Sequence, residues 1–556
     1  MNPTDSLIAS YQEKILFLNQ QISKEKSHIN VIFYARVISF ILAFILFFLF
    51  IQHAPAGAYL LLPIIIALFL ILLKKELKSQ KRIDYLKNRI HLDEKEISIL
   101  NLDLSSFDSG KEFMDKEHPY ISDLDIFGNR SIFQLLNRTC TYSGKMRLAK
   151  LLAHPFLDKN EIQEQQQAIK CLSTKLEWNQ KFIATGTSAN ENEIDKNNIH
   201  SWLQEDTLFS SSFLRIIATA LPTLTLLALL LQLMNIIGSG LFTVLFILQL
   251  VIIASHLKNT NRIHVQLSHK LSSVEKYASL IQLIESEPYD SIKLTALKQK
   301  LSTHEQSASN TIRKLKKLVD ALDARLNIVV AVILNGIFLF DVNVMIRIEK
   351  WKKLHKDDFL RWIEVIGEFD SFISLGLHAH NNPDHVYAEI ETNEFCIHAE
   401  NTGHPLINKT KLVKNTYSIT GLSRIDLLTG ANMAGKSTFL RTIGVNLVLA
   451  RIGLPICASV FRFYPIRLFT SLRTNDSLQE NESFFYAELK RLQLLMVRYE
   501  QGEKVFFLLD EILKGTNSKD QHAGSEALIK KMLLLNGAGI VATHDVELSK
   551  LTVAFP

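Results

Sequence analysis

The chain has 556 residues, 47% hydrophobic and 21% charged, with a net charge of +6 and a mean hydropathy of +0.11. That length has room for several domains, and high apolar content beside many charges predicts soluble domains joined to membrane segments. The modest charge does not by itself point to nucleic acid. The widely spaced Cys140, Cys171, Cys396 and Cys457, with no CxxC and no paired histidines, argue against a disulfide framework or a zinc site and fit a reducing compartment.

Residues 1–30 are polar and amphipathic, so the first apolar run starts too late for a cleaved signal peptide. Two apolar runs follow, at about 31–51 and 57–73, around a short uncharged turn. They predict a membrane hairpin, the alternative being a buried pair of soluble helices. Residues 74–89 then carry Lys74, Lys75, Lys78, Lys81, Arg82, Lys87 and Arg89 against Glu76 and Asp84. That bias places both hairpin ends in the cytoplasm, and the basic segment can also lie on anionic lipid or be the solvated face of a long helix. The first domain is therefore set at 1–110.

Residues 111–400 read as a helical domain. A helix–turn–helix stretch covers 118–155 with Gly144 as a break, and 161–172 is an amphipathic helix. A second membrane hairpin, at about 216–234 and 236–255, interrupts this domain and is followed by the basic residues Lys258 and Arg262. A fifth apolar run, 328–340, is short, contains Asn335 and meets Asp341. It is assigned as a buried core helix, because an odd number of spans would put the C-terminal domain outside. Residues 265–325 and 345–380 are long helical patterns rich in Lys, Glu and Gln. Their Lys293, Lys298, Lys300, Arg313, Lys314, Lys316 and Lys317 fit phosphate contact or a solvated helix face equally well.

Residues 401–556 carry the chemistry. Gly430, Ala431, Asn432, Met433, Ala434, Gly435, Lys436, Ser437 and Thr438 fit G-x-x-x-x-G-K-[ST] between a short apolar strand at 423–429 and a helical pattern at 439–454. This is a phosphate-binding loop for ATP, with Lys436 on the β- and γ-phosphates and Ser437 a ligand of Mg2+. A buried-strand run over 504–511 ends in Asp510, a second Mg2+ ligand, and Glu511, which would orient or activate the attacking water. A strand at 539–545 ends in His544, placed to contact the γ-phosphate or to serve structure alone.

The nine-residue loop, Asp510-Glu511 with Lys514-Gly515-Thr516-Asn517-Ser518, and Ala542-Thr543-His544-Asp545 together resemble the ATPase domain of MutS proteins. Pro465 to Thr470 and Ser483-Phe484-Phe485-Tyr486-Ala487-Glu488-Leu489 extend the resemblance, which is specific from about residue 400 and weaker over 118–175 and 355–390. Together with the membrane hairpins read from the apolar runs, it implies a fold of three parts. Four transmembrane helices form two hairpins, an α-helical core or lever domain follows, and a C-terminal α/β P-loop domain of ABC type ends the chain. It also implies ATP hydrolysis coupled to lever movement, DNA as a partner, and a homodimer whose Ser483 completes the opposite subunit's site. Ser483 otherwise caps the helix beginning at Phe484.

Three departures from the family pattern bear on function. No counterpart of the mismatch-reading region with its Phe-x-Glu wedge is found. Ala431 and Ala434 replace the usual Pro and Gly, and the chain stops twelve residues after His544, so the ATPase domain is expected to be truncated. The expectation is a multi-pass protein of the cytoplasmic (inner) membrane with its ATPase domain in the cytoplasm. The competing readings are a transporter-type ATPase, for which no LSGGQ signature precedes Asp510, and a nucleotide-switched membrane scaffold.

Overall fold

A computed structural model describes residues 3–51, 58–187, 201–205, 207–209, 211–268, 271–303, 306–323, 325, 327–431, 434–472, 484–514 and 516–551. Asn432, Met433 and Ser483 lie outside the described residues, as does the turn between the two arms of the first hairpin.

The first two helices, α1 (Pro3–Ile51) and α2 (Ala58–Leu100), each merge an expected membrane arm with a flanking polar helix. At about 1.5 Å per residue, α1 is roughly 74 Å long. The pair runs antiparallel, with Arg36 bound to Glu76 at 2.7 Å and Arg82 to Glu25 at 3.0 Å. Beyond the Arg36–Glu76 bridge the described side chains of both arms are mostly exposed and apolar, among them Phe40, Phe44, Ile64 and Leu70. The polar ends are clamped to the helical core, where Lys14 and Arg89 meet Glu177 at 3.0 and 2.8 Å.

That core begins with α3 (Ile132–Leu136), α4 (Tyr142–Ala153), α5 (Lys159–Ser173) and α6 (Leu176–Gly186). The second hairpin follows as α7 (Ser212–Leu233) and α8 (Gly240–Ser268). Ala218, Pro222, Thr225 and Ala228 form a buried small-residue seam on α7, the close-packing surface expected of helices in lipid. Gln249 donates to the Thr225 hydroxyl across the seam at 2.6 Å. Among the described residues, three stretches are long and apolar enough to cross a membrane, Thr4–Phe48 within α1, Ser212–Leu233 and Gly240–Val265.

The helical pattern over 265–325 forms the end of α8 and then α9 (Leu271–Ser286), α10 (Ile292–Gln299) and α11 (Ala308–Asp323). Residues 328–338 form α12 (Ile328–Phe338), which is not the buried core helix expected of it. Its aliphatic side chains are exposed or half-buried, and within the helix only Asn335 and Gly336 are buried. The run is apolar because it lies along the second hairpin, not inside the core.

The organising helix is α13 (Phe340–Asn381), which packs against α4, α5, α8, α9 and α11. Gly144 is no break, since it sits within α4. A Cβ there would come within 2.2 Å of Asp370, and one on Gly367 within 2.9 Å of Ser143. These two glycines let α4 and α13 cross at backbone distance. Asp370 is fully buried beside them and accepts the Thr141 N–H at 2.8 Å and the Thr141 hydroxyl at 2.6 Å.

Beyond α13 come β1 (Glu389–Ile390), β2 (Cys396–Thr402), β3 (Asn415–Thr420), β4 (Arg424–Thr429), α14 (Lys436–Arg451), β5 (Val460–Phe463), β6 (Arg467–Ser471), α15 (Phe484–Glu500), β7 (Val505–Asp510), α16 (Ser518–Leu534) and β8 (Ala538–Thr543). One mixed sheet has the order β1-β5-β2-β3, and one wholly parallel sheet has the order β4-β8-β7-β6. β7 is apolar up to Asp510 because both its faces are covered. Phe506 and Leu508 join the main core, while Phe507 and Leu509 pack in a second core under α15, the two-residue period of a strand.

Candidate active site

The carboxyl edge of the parallel sheet gathers the predicted residues. Thr429 of β4 is paired with Thr543 of β8, and Ala542 of β8 with Asp510 of β7, so three chain exits open along one edge. Such an edge is where ligands bind in open α/β sheets. The exit of β4 leads through Gly435, whose φ of 91° is the left-handed conformation that glycine adopts without strain. α14 starts at once with Lys436, so its first backbone N–H groups face the loop.

Lys436 is buried, and its ammonium donates to the Gly430 and Ala431 carbonyls at 2.6 and 3.1 Å. The loop therefore holds a cation inside its own turn, beside a helix N-terminus that favours anions. One residue on, the Ser437 hydroxyl donates to the Asp510 carboxylate. The two expected Mg2+ ligands, 73 positions apart in sequence, are in direct contact. A hydroxyl beside a carboxylate offers the oxygen donors a hard divalent cation prefers.

Glu511 adopts a φ of 52° and donates its N–H to the Ala542 carbonyl at 2.8 Å. Its carboxylate pairs with Lys514 at 3.0 Å, and His544 Nδ1 lies 3.9 Å from it. The base and the histidine expected near the γ-phosphate thus share one corner. Together these groups can grip a polyphosphate, hold a divalent cation and order a water on one side of it.

Two further arrangements were not legible as site features. Glu488 of α15 is buried and accepts the N–H groups of Leu513 and Lys514 at 2.6 and 3.2 Å, which fixes the loop carrying Glu511. Burial is the larger influence and raises its carboxyl pKa. His522 Nδ1 meets Asp545 at 2.6 Å, and that carboxylate raises the imidazole pKa. The sole sequence signal for Glu488 is its place in the stretch that begins at Ser483.

Of the basic residues considered for phosphate contact, Lys293 pairs with Glu164 at 3.4 Å and Lys316 with Asp320 at 3.2 Å. Lys298 donates to the Glu287 carbonyl at 2.8 Å. Lys293 and Lys316 are thus held in ion pairs on the helix surface, and Lys298 by a backbone carbonyl.

A helical core built on one long helix and joined to a parallel-sheet domain with loops at its carboxyl edge defines a known class. Residues 99–376 match the family model described as MutS domain III, and residues 426–556 the one described as MutS domain V. This chain belongs to the MutS family. It is 30% identical over 199 residues to human "MutS protein homolog 4", covering 35% of this chain and 20% of that protein. It is 27% identical over 208 residues to the "DNA mismatch repair protein MutS" of Thermotoga petrophila, covering 37% and 26%. With "Endonuclease MutS2" of Thermus thermophilus it shares 33% identity over 142 residues, covering 25% and 18%. The matched segment thus spans about a fifth to a quarter of these relatives.

Proposed function

We propose that this protein is a membrane-anchored, MutS-like ATPase that couples ATP binding and hydrolysis to movement of its long helices on DNA. The observation that carries the reading is the meeting of Lys436, the Ser437–Asp510 pair and the Glu511–His544 corner at one sheet edge. Lys436 binds the β- and γ-phosphates, Glu511 orients the attacking water, and His544 contacts the γ-phosphate. Mg2+ held by Ser437 and Asp510 would neutralise charge on the phosphates. Ser483 completes the opposite subunit's site in a homodimer.

Among the described residues three of the four arms are long and apolar enough to cross a membrane, and the exposed apolar side chains of α2 support the fourth, giving two hairpins in the cytoplasmic (inner) membrane with the ATPase domain in the cytoplasm. DNA enters as a partner from the relatives, one of which is named a DNA mismatch repair protein. The role assigned here is ATP-driven movement on DNA within a mismatch-repair-related family, not mismatch reading itself.

The test is ATP hydrolysis by the detergent-solubilised full chain, with and without duplex DNA, against Lys436→Ala as background. Hydrolysis above that background, raised several-fold by DNA, is expected. Turnover equal to Lys436→Ala would sink the ATPase assignment. Turnover indifferent to DNA would leave an ATPase and remove DNA from the reading.

A further inference from the structure

α12 is an eleven-residue helix with its polarity inverted. Ile328, Val329 and Ile333 are 76%, 62% and 50% exposed, while Asn335 and Gly336 are buried. Water-facing helices bury their apolar stripe and expose their polar residues. The exposed surface continues that of the second hairpin. Gly336 lies so close to Phe246 of α8 that a Cβ would stand 2.2 Å from the ring. Asn343, just past α12, donates to the Ala218 carbonyl of α7 at 2.9 Å.

Arg325, just before α12, ties the segments flanking that helix to each other and to the polar end of α8. Arg325 contacts Asn261 of α8 and lies 3.6 Å from Asp341, across α12 in sequence. Gly336, near the end of α12, meets α8 at Phe246, fifteen residues before Asn261 in sequence. The chain then reverses at Leu339, whose φ is 46°. The backbone is closed at both turns. Asn327 Oδ1 accepts the N–H groups of Val329 and Val330 at 3.1 and 3.3 Å, and Asn335 Oδ1 accepts that of Asp341 at 2.9 Å. Backbone groups must be satisfied internally in this way wherever water is absent.

Length excludes a full crossing. Eleven residues rise about 16 Å, roughly half of the ~30 Å hydrocarbon thickness. Nor does the preceding helix complete a span. α11 meets α12 at 112°, carries Arg313 and Lys316, and buries its own apolar face against α9 and α13.

We propose that α12 is a re-entrant membrane helix, inserted beside α7 and α8 from the side on which Asn261 lies, with Val329 and Ile333 facing lipid acyl chains. This rests on the reading of α7 and α8 as a membrane hairpin. It sets the start of α13 in the bilayer, so the helix that organises the core runs about 63 Å from lipid to the junction with the sheet domain.

The test places a photoreactive benzoylphenylalanine, one site at a time, at Val329 and Ile333 of the full chain in phosphatidylethanolamine–phosphatidylglycerol vesicles. Leu227, 52% exposed on α7, is the control for lipid contact, and Leu354, 62% exposed on α13, is the aqueous control. Lipid adducts at Val329 and Ile333 within about threefold of those at Leu227, with none at Leu354, are expected. Adducts at Leu227 alone, or crosslinks from Ile333 into a second copy of the chain, would overturn the proposal and leave the hairpin intact. Absence of adducts at Leu227 would remove the hairpin reading itself, and this proposal with it.

Discussion

Glu488 and Arg491 stand one turn apart on α15 and bind two different parts of the protein. Glu488 accepts the N–H groups of Leu513 and Lys514 behind Glu511. Arg491 donates to the Thr470 carbonyl at 2.9 Å and to the Pro119 carbonyl at 2.9 Å, and lies 3.5 Å from Asp123. One helical turn therefore connects the Glu511–His544 corner of the site to the opening segment of the helical core.

That connection predicts a split in kinetic effects. Glu488→Gln replaces one accepting oxygen with an N–H donor that opposes a backbone N–H, a loss of about 1.5–3 kcal/mol for a charged hydrogen bond. We expect kcat to fall about tenfold or more with nucleotide affinity changed by less than about twofold. Arg491→Lys, which cannot span the two carbonyls, should lower DNA stimulation more than basal turnover. Steady-state kinetics beside nucleotide titration decide it, and an equal fall in affinity and kcat for Glu488→Gln would contradict a positioning role.

Lys436 and Glu511 should separate binding from chemistry. Lys436→Ala removes the cation that meets phosphate in the ground state, and nucleotide binding should be lost. Glu511→Gln keeps the loop and the Lys436 ammonium, so ATP should bind and persist unhydrolysed. Filter binding of labelled ATP followed by product analysis distinguishes them. Normal turnover in Glu511→Gln would remove this carboxylate from the mechanism.

Asp370 predicts a pH dependence of stability. Burial raises its carboxyl pKa from 3.8 to about 6. Between those values the folded chain holds a proton that the unfolded chain has released, so this group's contribution to stability is present at low pH. It is lost as pH rises through about 6. Asp370→Asn lacks that dependence and should gain on the wild type by up to about 3 kcal/mol between pH 4 and pH 7. Unfolding temperatures of both proteins across this range give the comparison, and parallel curves would exclude the effect.

Ser483 is tested by mixing inactive subunits. If it acts in trans, Lys436→Ala combined with Ser483→Ala should restore activity at one composite site. If it only caps α15, the mixture should not exceed the sum of its parents, and Ser483→Ala should cost about 0.5–2 kcal/mol of stability.

Much of the sheet domain was legible in the chain because its signals are local. A glycine loop between a strand and a helix, and apolar runs ending in Asp510-Glu511 and Thr543-His544, are contiguous patterns whose chemistry depends on residue type and spacing. The apolar helices of the two hairpins were readable for the same reason, since helix length and apolar composition are summed along one contiguous segment. Contacts between distant segments were not. Asp370 with Thr141, Tyr11 donating to Asn381 at 2.8 Å, and Glu488 behind Glu511 are pairings set by packing. Gly144 showed only that the chain could turn there, and the passage of α13 decided that its missing Cβ makes room for Asp370. The run at 328–338 shows the limit most plainly. Its composition is the same for a core helix and a lipid-facing one, because hydrophobicity does not specify what covers it. Only the placement of α12 along Phe246, with Arg325 and Asp341 meeting beside Asn261, decided that its apolar side chains face outward.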